Sequence, residues 1–406
     1  MRALFTVSEW PTHWMAMVPT GWALQAAGHQ VRVLCAPSQA EPVSRAGLVP
    51  VPVLGGMSAV LRNRLGFVAE ARAGLWPYPW LPPHPVTGVP MADLAEFDPA
   101  AWRRDQEPEL ARAQRRSFDR ALRFARDWRP DLVLHDPVSL EGLLVGQVRQ
   151  VPSALSFWGP VGTRETRYVR PLPVDHSGTF ARHGLPADPV GLVRRVVDPC
   201  PASLAPPTDA ALRLAVRYLP YNGPGAAREW MLRPARRPRV CVAWSTALST
   251  MVGPASNLLP TIVRALAGLP VEVLVAATGR DAAALGELPP SVRVLERTPL
   301  HLVLPGCAAV VHHGGAGSTM TSLHTGVPQL VISCASEQAT TGERVAAAGA
   351  GRHLPAHLAT AGAVAAALGD LLDDPGYATG AEMLRKELHD RPSPARLVAA
   401  LEDLAA

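Results

Sequence analysis

Aromatic residues are scarce, with Phe, Trp and Tyr together making 5% of 406 residues. That scarcity, and the lack of any nucleic-acid-binding motif, argue against a surface that stacks on bases. A formal charge of +5 does not reverse this, because the basic residues are spread along the chain. The densest run, Arg112 to Arg123, alternates with apolar residues and contains Asp119, and it reads as the solvated face of a helix. The five cysteines (Cys35, Cys200, Cys241, Cys307 and Cys334) have neither C-x-x-C nor zinc-finger spacing. Reduced cysteines packed as small hydrophobes are therefore expected. Long apolar runs are also missing. No uninterrupted stretch reaches the roughly 18 residues of a membrane span, and the opening MRALFTVSEW lacks a signal-peptide core. The expectation is a soluble, cytoplasmic protein without nucleic-acid partners. Its 48% hydrophobic and 18% charged residues place it among globular enzymes, and its length implies two or three domains.

What is present is an alternation of short apolar runs with helical patterns. Ala3 to Val7 reads as a strand; a helical pattern then runs to Gly28, and Val31 to Cys35 forms the next strand. Pro19 implies a kink or a later helix start. The amphipathic stretch Glu107 to Trp128 leads into Leu132 to Leu134, again helix into strand. Residues 52–105 read as loop-rich, with WPYPWLPPHP at 76–85, and 160–236 reads as a second, proline-rich irregular zone. From Arg239 the rhythm restarts, with strands expected at 240–244, 271–278, 292–296, 308–312 and 328–332 and helices at 257–269 and 319–325. Two α/β halves follow: residues 1–215, a linker at 216–236, and residues 237–406, whose last helix is expected to reach back to the first half.

The strongest chemical signal is VVHHGGAGSTMTSLHTGVPQLVIS, residues 310–333. A strand ends in two histidines, passes a glycine-rich turn and enters a helix that stops near Gly326. Gly314, Gly315 and Gly317 let backbone approach a ligand, and the helix N-terminus presents N–H groups and positive dipole to an anion. Ser318 and Thr319 add hydroxyls. The turn alone is weak, because it lacks the lysine of a P-loop and does not match G-x-G-x-x-G; a plain tight βα turn fits it equally. The flanks favour a ligand. His313 precedes the turn, and Glu337-Gln338, an acid and an amide able to hold hydroxyls, follow the next strand.

This segment resembles the donor-binding signature of inverting, metal-independent glycosyltransferases of the GT-B fold, two Rossmann-like domains facing across a cleft. It is most similar to actinomycete enzymes that attach deoxysugars to antibiotics. PTHWMAMVPTGWALQAAGHQV (11–31), RPDLVLHDP (129–137) and RYLPYNGPG (217–225) resemble further segments of that family, in the same order. The resemblance implies a hydrophobic natural-product acceptor in the first half and a dTDP- or UDP-sugar in the second, dTDP favoured, with no resident cofactor. It implies His313 on the donor diphosphate, with Thr246, Gly315, Gly317, Ser318 and Thr319 around the phosphates. Arg297, Thr298 and Pro299 fall at the nucleobase, and Glu337 and Gln338 at the sugar hydroxyls. Ser245, Ser333, Glu337 and Thr341 stand where the family more often has Gly, Pro, Asp and Asn. Some members of the family work with a helper protein, and a homodimer is a further expectation.

Inverting transfer needs a base for the attacking acceptor group, and histidine has a suitable pKa. His13 lies just beyond the first strand, where α/β folds place ligands. A histidine at a helix start is more often structural; the match of Pro11-Thr12-His13 to the family makes it the base. Asp136, ending the strand LVLHD, falls where the family's orienting carboxylate stands, although an Asp before Pro137 also caps turns. His135 is expected to face away by strand alternation. Trp10, Trp14, Trp76, Tyr78 and Trp80 are candidates for an apolar acceptor wall or for core. No Asp-x-Asp stands where a metal-dependent transferase needs one, so no metal is expected. The rival readings are a nucleotide-sugar 2-epimerase on the same fold and a non-catalytic homologue that binds without transfer.

Overall fold

Short runs of Val, Leu, Ile and Ala that are apolar on both faces belong in parallel sheets covered by helices. The computed structural model forms two of them. It describes all residues except 57, 166–168, 245, 254–255, 278–282, 284 and 297, and omits the side chains of residues 11, 246 and 247.

The first sheet contains β1 (Arg2–Thr6), β2 (Gln30–Leu34), β3 (Pro50–Val51), β4 (Leu132–His135), β5 (Ser153–Ser156), β6 (Arg195–Asp198) and β7 (Leu212–Ala215). Their order is β3-β2-β1-β4-β5-β6-β7, all parallel. The second contains β8 (Arg239–Ala243), β9 (Glu272–Ala277), β10 (Val292–Glu296), β11 (Ala309–His312), β12 (Gln329–Ser333) and β13 (Gly351–Pro355), in the order β10-β9-β8-β11-β12-β13. Each sheet reverses direction once, between β1 and β4 and between β8 and β11. Open α/β sheets leave a crevice at that switch, beyond the strands' carboxyl ends. Both candidate sites sit there.

The sequence reading places most elements to within a residue or two. Helix Glu107–Trp128 has the expected bounds. Its Phe118, Ala121 and Ala125 form the buried stripe, Glu107 and Glu109 meet its positive end, and it stops at Arg129 (φ 52°) before Pro130. Pro19 does delay a helix, which spans Val18–Ala26 with Pro19 in its first turn.

Two expectations are corrected. The zone 52–105 holds a 14-residue helix, Ala59–Arg72. Its buried face includes Arg64, so a plain apolar stripe is absent, and the helix is held by packing on helix Thr246–Val252 of the second half. Arg64 donates to the carbonyls of Thr250 and Met251 at that helix's end. The proline-rich zone 160–236 contains β6 and β7, four-residue strands too short to stand out among prolines.

The halves are tied at several points. Leu397, Val398 and Leu401, on the terminal helix Pro394–Ala405, enter the core of the first half beside Val18 and Leu24. Arg344, on helix Ser336–Ala347, grips Glu165 of the first half with two hydrogen bonds of 2.8 Å. The Glu165 side chain is 3% exposed and that of Arg344 28%. Arg344→Ala therefore leaves a buried carboxylate half-satisfied and is expected to cost about 1–3 kcal/mol, less than the loss of a fully buried pair. A lower urea midpoint would report it; an unchanged midpoint would mean the pair contributes nothing.

Candidate functional site

At the first switch point, Ser8 leaves β1 and Asp136 leaves β4, so adjacent strands deliver them to one edge. Asp136 is fully buried. Its Oδ2 accepts from Ser8 N at 2.6 Å, and its Oδ1 accepts from Val138 N at 2.8 Å and Ser139 N at 2.9 Å. The turn-capping reading of Asp136 is thus realised, and it does not exclude the other role. The Ser8 hydroxyl also bonds Asp136, while Ser8 Oγ stands 3.3 Å from His13 Nδ1. A direct His13–Asp136 pair is replaced by a three-residue relay through Ser8. Loss of water raises the Asp136 carboxyl to about 6, against the pull of its N–H donors.

His13 lies in the middle of the short helix Pro11–Met15. Its ring stacks on Trp158 at 3.9 Å and 16°, with Trp10 6.1 Å away on another side. Held between aromatic rings where the two halves meet, the imidazole is pushed down to about 3 by desolvation, so it is neutral at pH 7. His135 faces helix Leu140–Arg149, packing on Gly142 and bonding the Asp136 carbonyl at 3.1 Å, as strand alternation requires.

At the second switch point the two histidines after β11 divide their work. His312 is fully buried. Gly314 N donates to its Nδ1 at 3.0 Å, which leaves Nε2–H to donate to Gln329 Oε1 at 2.9 Å. It locks the turn. His313 is turned the other way, edge-on to Trp244 at 5.9 Å, and its buried Nδ1 has no partner. Burial pushes it down to about 3, with His312 adding to the effect. Gly314 adopts φ 88°, and a Cβ there would stand 2.9 Å from the Gln338 carbonyl, so both conformation and space demand glycine.

Gly315 caps helix Ala316–Thr325, and no side chain closes that N-terminus. Around Gly317 nothing lies within 4 Å of a Cβ position, so the first turn is open. Ser318 lies half-buried on the same turn. Thr319 is a correction: its side chain is fully buried and its hydroxyl donates to the Gly315 carbonyl at 3.1 Å, away from any phosphate.

Gln338 Oε1 accepts from Cys334 N at 2.8 Å, which orients its amide nitrogen outward. Beside it Glu337 is reached by water yet set between the two halves. Surrounding protein raises its carboxyl pKa, opposed by a hydrogen bond with the Trp158 side chain. The unusual Ser333 and Thr341 are structural. Ser333 bonds His353 at 2.8 Å, and Thr341 bonds the Glu337 carbonyl at 3.1 Å within its helix. Pro299 is buried against Gly225 of the linker, and Thr298 bonds the Glu296 carbonyl at 3.2 Å. Arg297 and the Thr246 side chain lie outside the described residues.

The aromatic candidates separate. Trp10 is beside His13. Trp14 is 1% exposed and donates to Gln39 Oε1 at 3.1 Å, so it is core of the first half and no acceptor wall. Trp76, edge-on to Tyr78, and Trp80, stacked on it, form a cluster that packs, with Phe67, on the core of the second half, and Tyr78 also bonds Ser333. They strap the halves together.

Two residues in this site escape sequence reasoning. Ser8 and Trp158 each follow a strand at the sheet's carboxyl edge, and that position was the only signal. Trp158 spans the cleft, stacking on His13 and bonding Glu337, while a Cβ on the next residue, Gly159, would stand 3.0 Å from the Ala316 Cβ.

Comparison with known proteins places this geometry. Residues 260–404 match the family model described as erythromycin biosynthesis protein CIII-like, C-terminal domain, and residues 110–245 match its N-terminal domain. The chain is 33% identical over its whole length to aklavinone 7-beta-L-rhodosaminyltransferase of Streptomyces galilaeus, covering 96% of that protein. It is 32% identical to 10-deoxymethynolide desosaminyltransferase of Streptomyces venezuelae, covering 97% of it. This protein belongs to the erythromycin CIII-like glycosyltransferases. The glycosyltransferase also superposes on spinosyn rhamnosyltransferase SpnG, with TM-score 0.77, 30% identity, and 99% and 100% of the two chains covered. The same relative complexed with thymidine diphosphate matches at TM-score 0.76. The GT-B architecture expected of two Rossmann-like halves is therefore the fold of this glycosyltransferase. Among its described residues no helix is long and apolar enough to cross a membrane.

Proposed function

We propose that this glycosyltransferase moves a deoxysugar from a dTDP-sugar onto a hydroxyl of a polyketide aglycone, with inversion at the anomeric carbon. One observation carries the reading: the His13–Ser8–Asp136 relay and the His313 glycine turn occupy the switch points of the two sheets, and Trp158 links His13 to Glu337 of the second half. The relatives support it, being named for transfer of rhodosamine, desosamine and mycaminose to aklavinone, 10-deoxymethynolide and tylactone.

The acceptor hydroxyl gives its proton to His13 Nε2 as its oxygen attacks the anomeric carbon. The bond from that carbon to the diphosphate oxygen breaks, and the diphosphate leaves with the electron pair. The proton on Nδ1 is held toward Ser8 Oγ, and the Ser8 hydroxyl toward Asp136, so the new imidazolium faces a carboxylate one residue removed. His313 and the open N-terminus of helix Ala316–Thr325 meet the charge growing on the diphosphate. Glu337 and the Gln338 amide hold sugar hydroxyls, and Trp158 sets His13 relative to Glu337.

Purified protein incubated with a panel of dTDP-deoxysugars and the aglycones aklavinone, 10-deoxymethynolide and tylactone should yield glycosides by mass spectrometry. No product from any pair, with nucleotide bound, would favour the non-catalytic reading. The relay has a pH signature of its own. Below about 6 Asp136 is protonated and stops stabilising the imidazolium, so kcat falls as pH drops through that value. In Ser8→Ala that acid limb should lose most of its amplitude; a limb unchanged in the variant would disconnect Asp136 from the base.

A further inference from the structure

Among the described residues away from the relay and the glycine turn, several buried polar atoms lack a partner, but only at Gln114 do both ends of an amide. Gln114, on the inner face of helix Glu107–Trp128, is 6% exposed, and neither its Nε2 nor its Oε1 has a hydrogen-bond partner. Buried amides are nearly always paired, and an orphan of this kind asks for a partner from outside the chain. It lines a cavity of about 10 Å³, room for one water or one hydroxyl.

Leu110 and Ala113 of the same helix form its apolar side, and the remaining walls are Gly55, Gly56, Arg62, Ser117 and Glu141. Most of their polar atoms are engaged. Ser117 Oγ donates to Glu141 Oε1 at 2.7 Å and accepts from Gly55 N at 2.9 Å, and Ser139 Oγ donates to Glu141 Oε2 at 3.1 Å. Arg62 stands among the charges of Glu9, Glu107, Glu141 and Asp175. The amide of Gln114 is the unfilled member of a built polar set.

Hydrogen bonds also link the cavity wall to the relay, from Glu141 through Ser139 to Asp136. Ser139, whose hydroxyl holds Glu141, gives its backbone N–H to Asp136. Glu9, the residue after Ser8, borders the cavity wall, since a Cβ on Gly56 would stand 2.6 Å from its Oε2. A molecule presenting one hydroxyl to His13 has this cavity within the same half.

We propose that the Gln114 cavity is an acceptor-specificity subsite, taking one hydroxyl of the aglycone other than the one that is glycosylated. A hydroxyl both donates and accepts, as the two open atoms of the amide require. This inference rests on the acceptor reading given above. It also explains why a folding penalty is kept at Gln114, since functional positions are where interior rules are broken.

The test is equilibrium dialysis of aklavinone, 10-deoxymethynolide and tylactone with wild type, Gln114→Leu and Gln114→Met, alongside thymidine diphosphate binding and thermal unfolding. At least one aglycone bound by wild type should bind both variants ~10-fold more weakly, the loss of about one hydrogen bond. Nucleotide binding should be unchanged, and the unfolding midpoint unchanged or higher. Equal aglycone binding in all three proteins would reduce the cavity to a water site and overturn the proposal. So would a marked fall in the midpoint of both variants, which would make Gln114 structural. Transfer is not needed for this readout. A wild type that binds these aglycones but glycosylates none sinks the proposed reaction and leaves the subsite to the binding difference; one that binds none of them sinks both.

Discussion

His13→Ala is expected to lower kcat by about 10²–10⁴-fold, the usual contribution of a positioned general base, while thymidine diphosphate binds as before. The size follows from where the ring stands. Its Nδ1 is engaged by Ser8 and its face by Trp158, which leaves Nε2 as the atom to meet an acceptor. Desolvation where the two halves meet pushes the imidazole down to about 3, so it stays unprotonated through the neutral range. That value makes a weak base in isolation. An anionic diphosphate bound nearby is expected to raise it, which would couple proton transfer to donor binding. Single-turnover kinetics separate the outcomes. A variant that forms glycoside at the wild-type rate would remove His13 from the chemistry, and loss of nucleotide binding would make its role structural.

His313→Ala is expected to cost about 10²–10³-fold in kcat, the range for removing one preorganised donor to a developing oxyanion. It should also weaken nucleotide diphosphate binding, because the buried Nδ1 has no partner in the protein and the first turn of helix Ala316–Thr325 has no side-chain cap. His312→Ala makes the contrast. That ring is committed to Gly314 N and Gln329, so its loss should lower stability more than it lowers kcat. Titration with thymidine diphosphate and thermal unfolding of the two variants read the difference. Equal behaviour would mean that the histidines are not divided between site and scaffold.

The sequence was most legible where one local pattern sufficed. Helix Glu107–Trp128 and strand Val292–Glu296 lie at the expected bounds because amphipathic period and apolar runs are local properties. The glycine turn after β11 was legible through its flanks, His313 before it and Glu337-Gln338 after the next strand, since the glycines alone fit a plain βα turn equally. Helix Ala59–Arg72 was not, because it is held by Arg64 on a helix almost two hundred residues away. Strands β6 and β7 were hidden by brevity. Thr319 and Trp14 were assigned by position along the chain, and only side-chain direction reveals that one bonds its own helix and the other fills a core.

Two α/β halves, the position of the glycine turn after β11, and His13 and Asp136 as candidates for one site in the first half were all open to reading from the sequence. Each is written in neighbouring residues or a recognisable segment. The tertiary structure alone decided that Ser8 stands between that histidine and that aspartate, and that the aromatic stretch Trp76 to Trp80 straps the halves together. It also decided that Trp158 joins His13 to Glu337, and that the Gln114 amide is left without a partner. These are contacts between strands and helices distant in the chain, and they exist only once hydrophobic burial has brought the two sheets face to face.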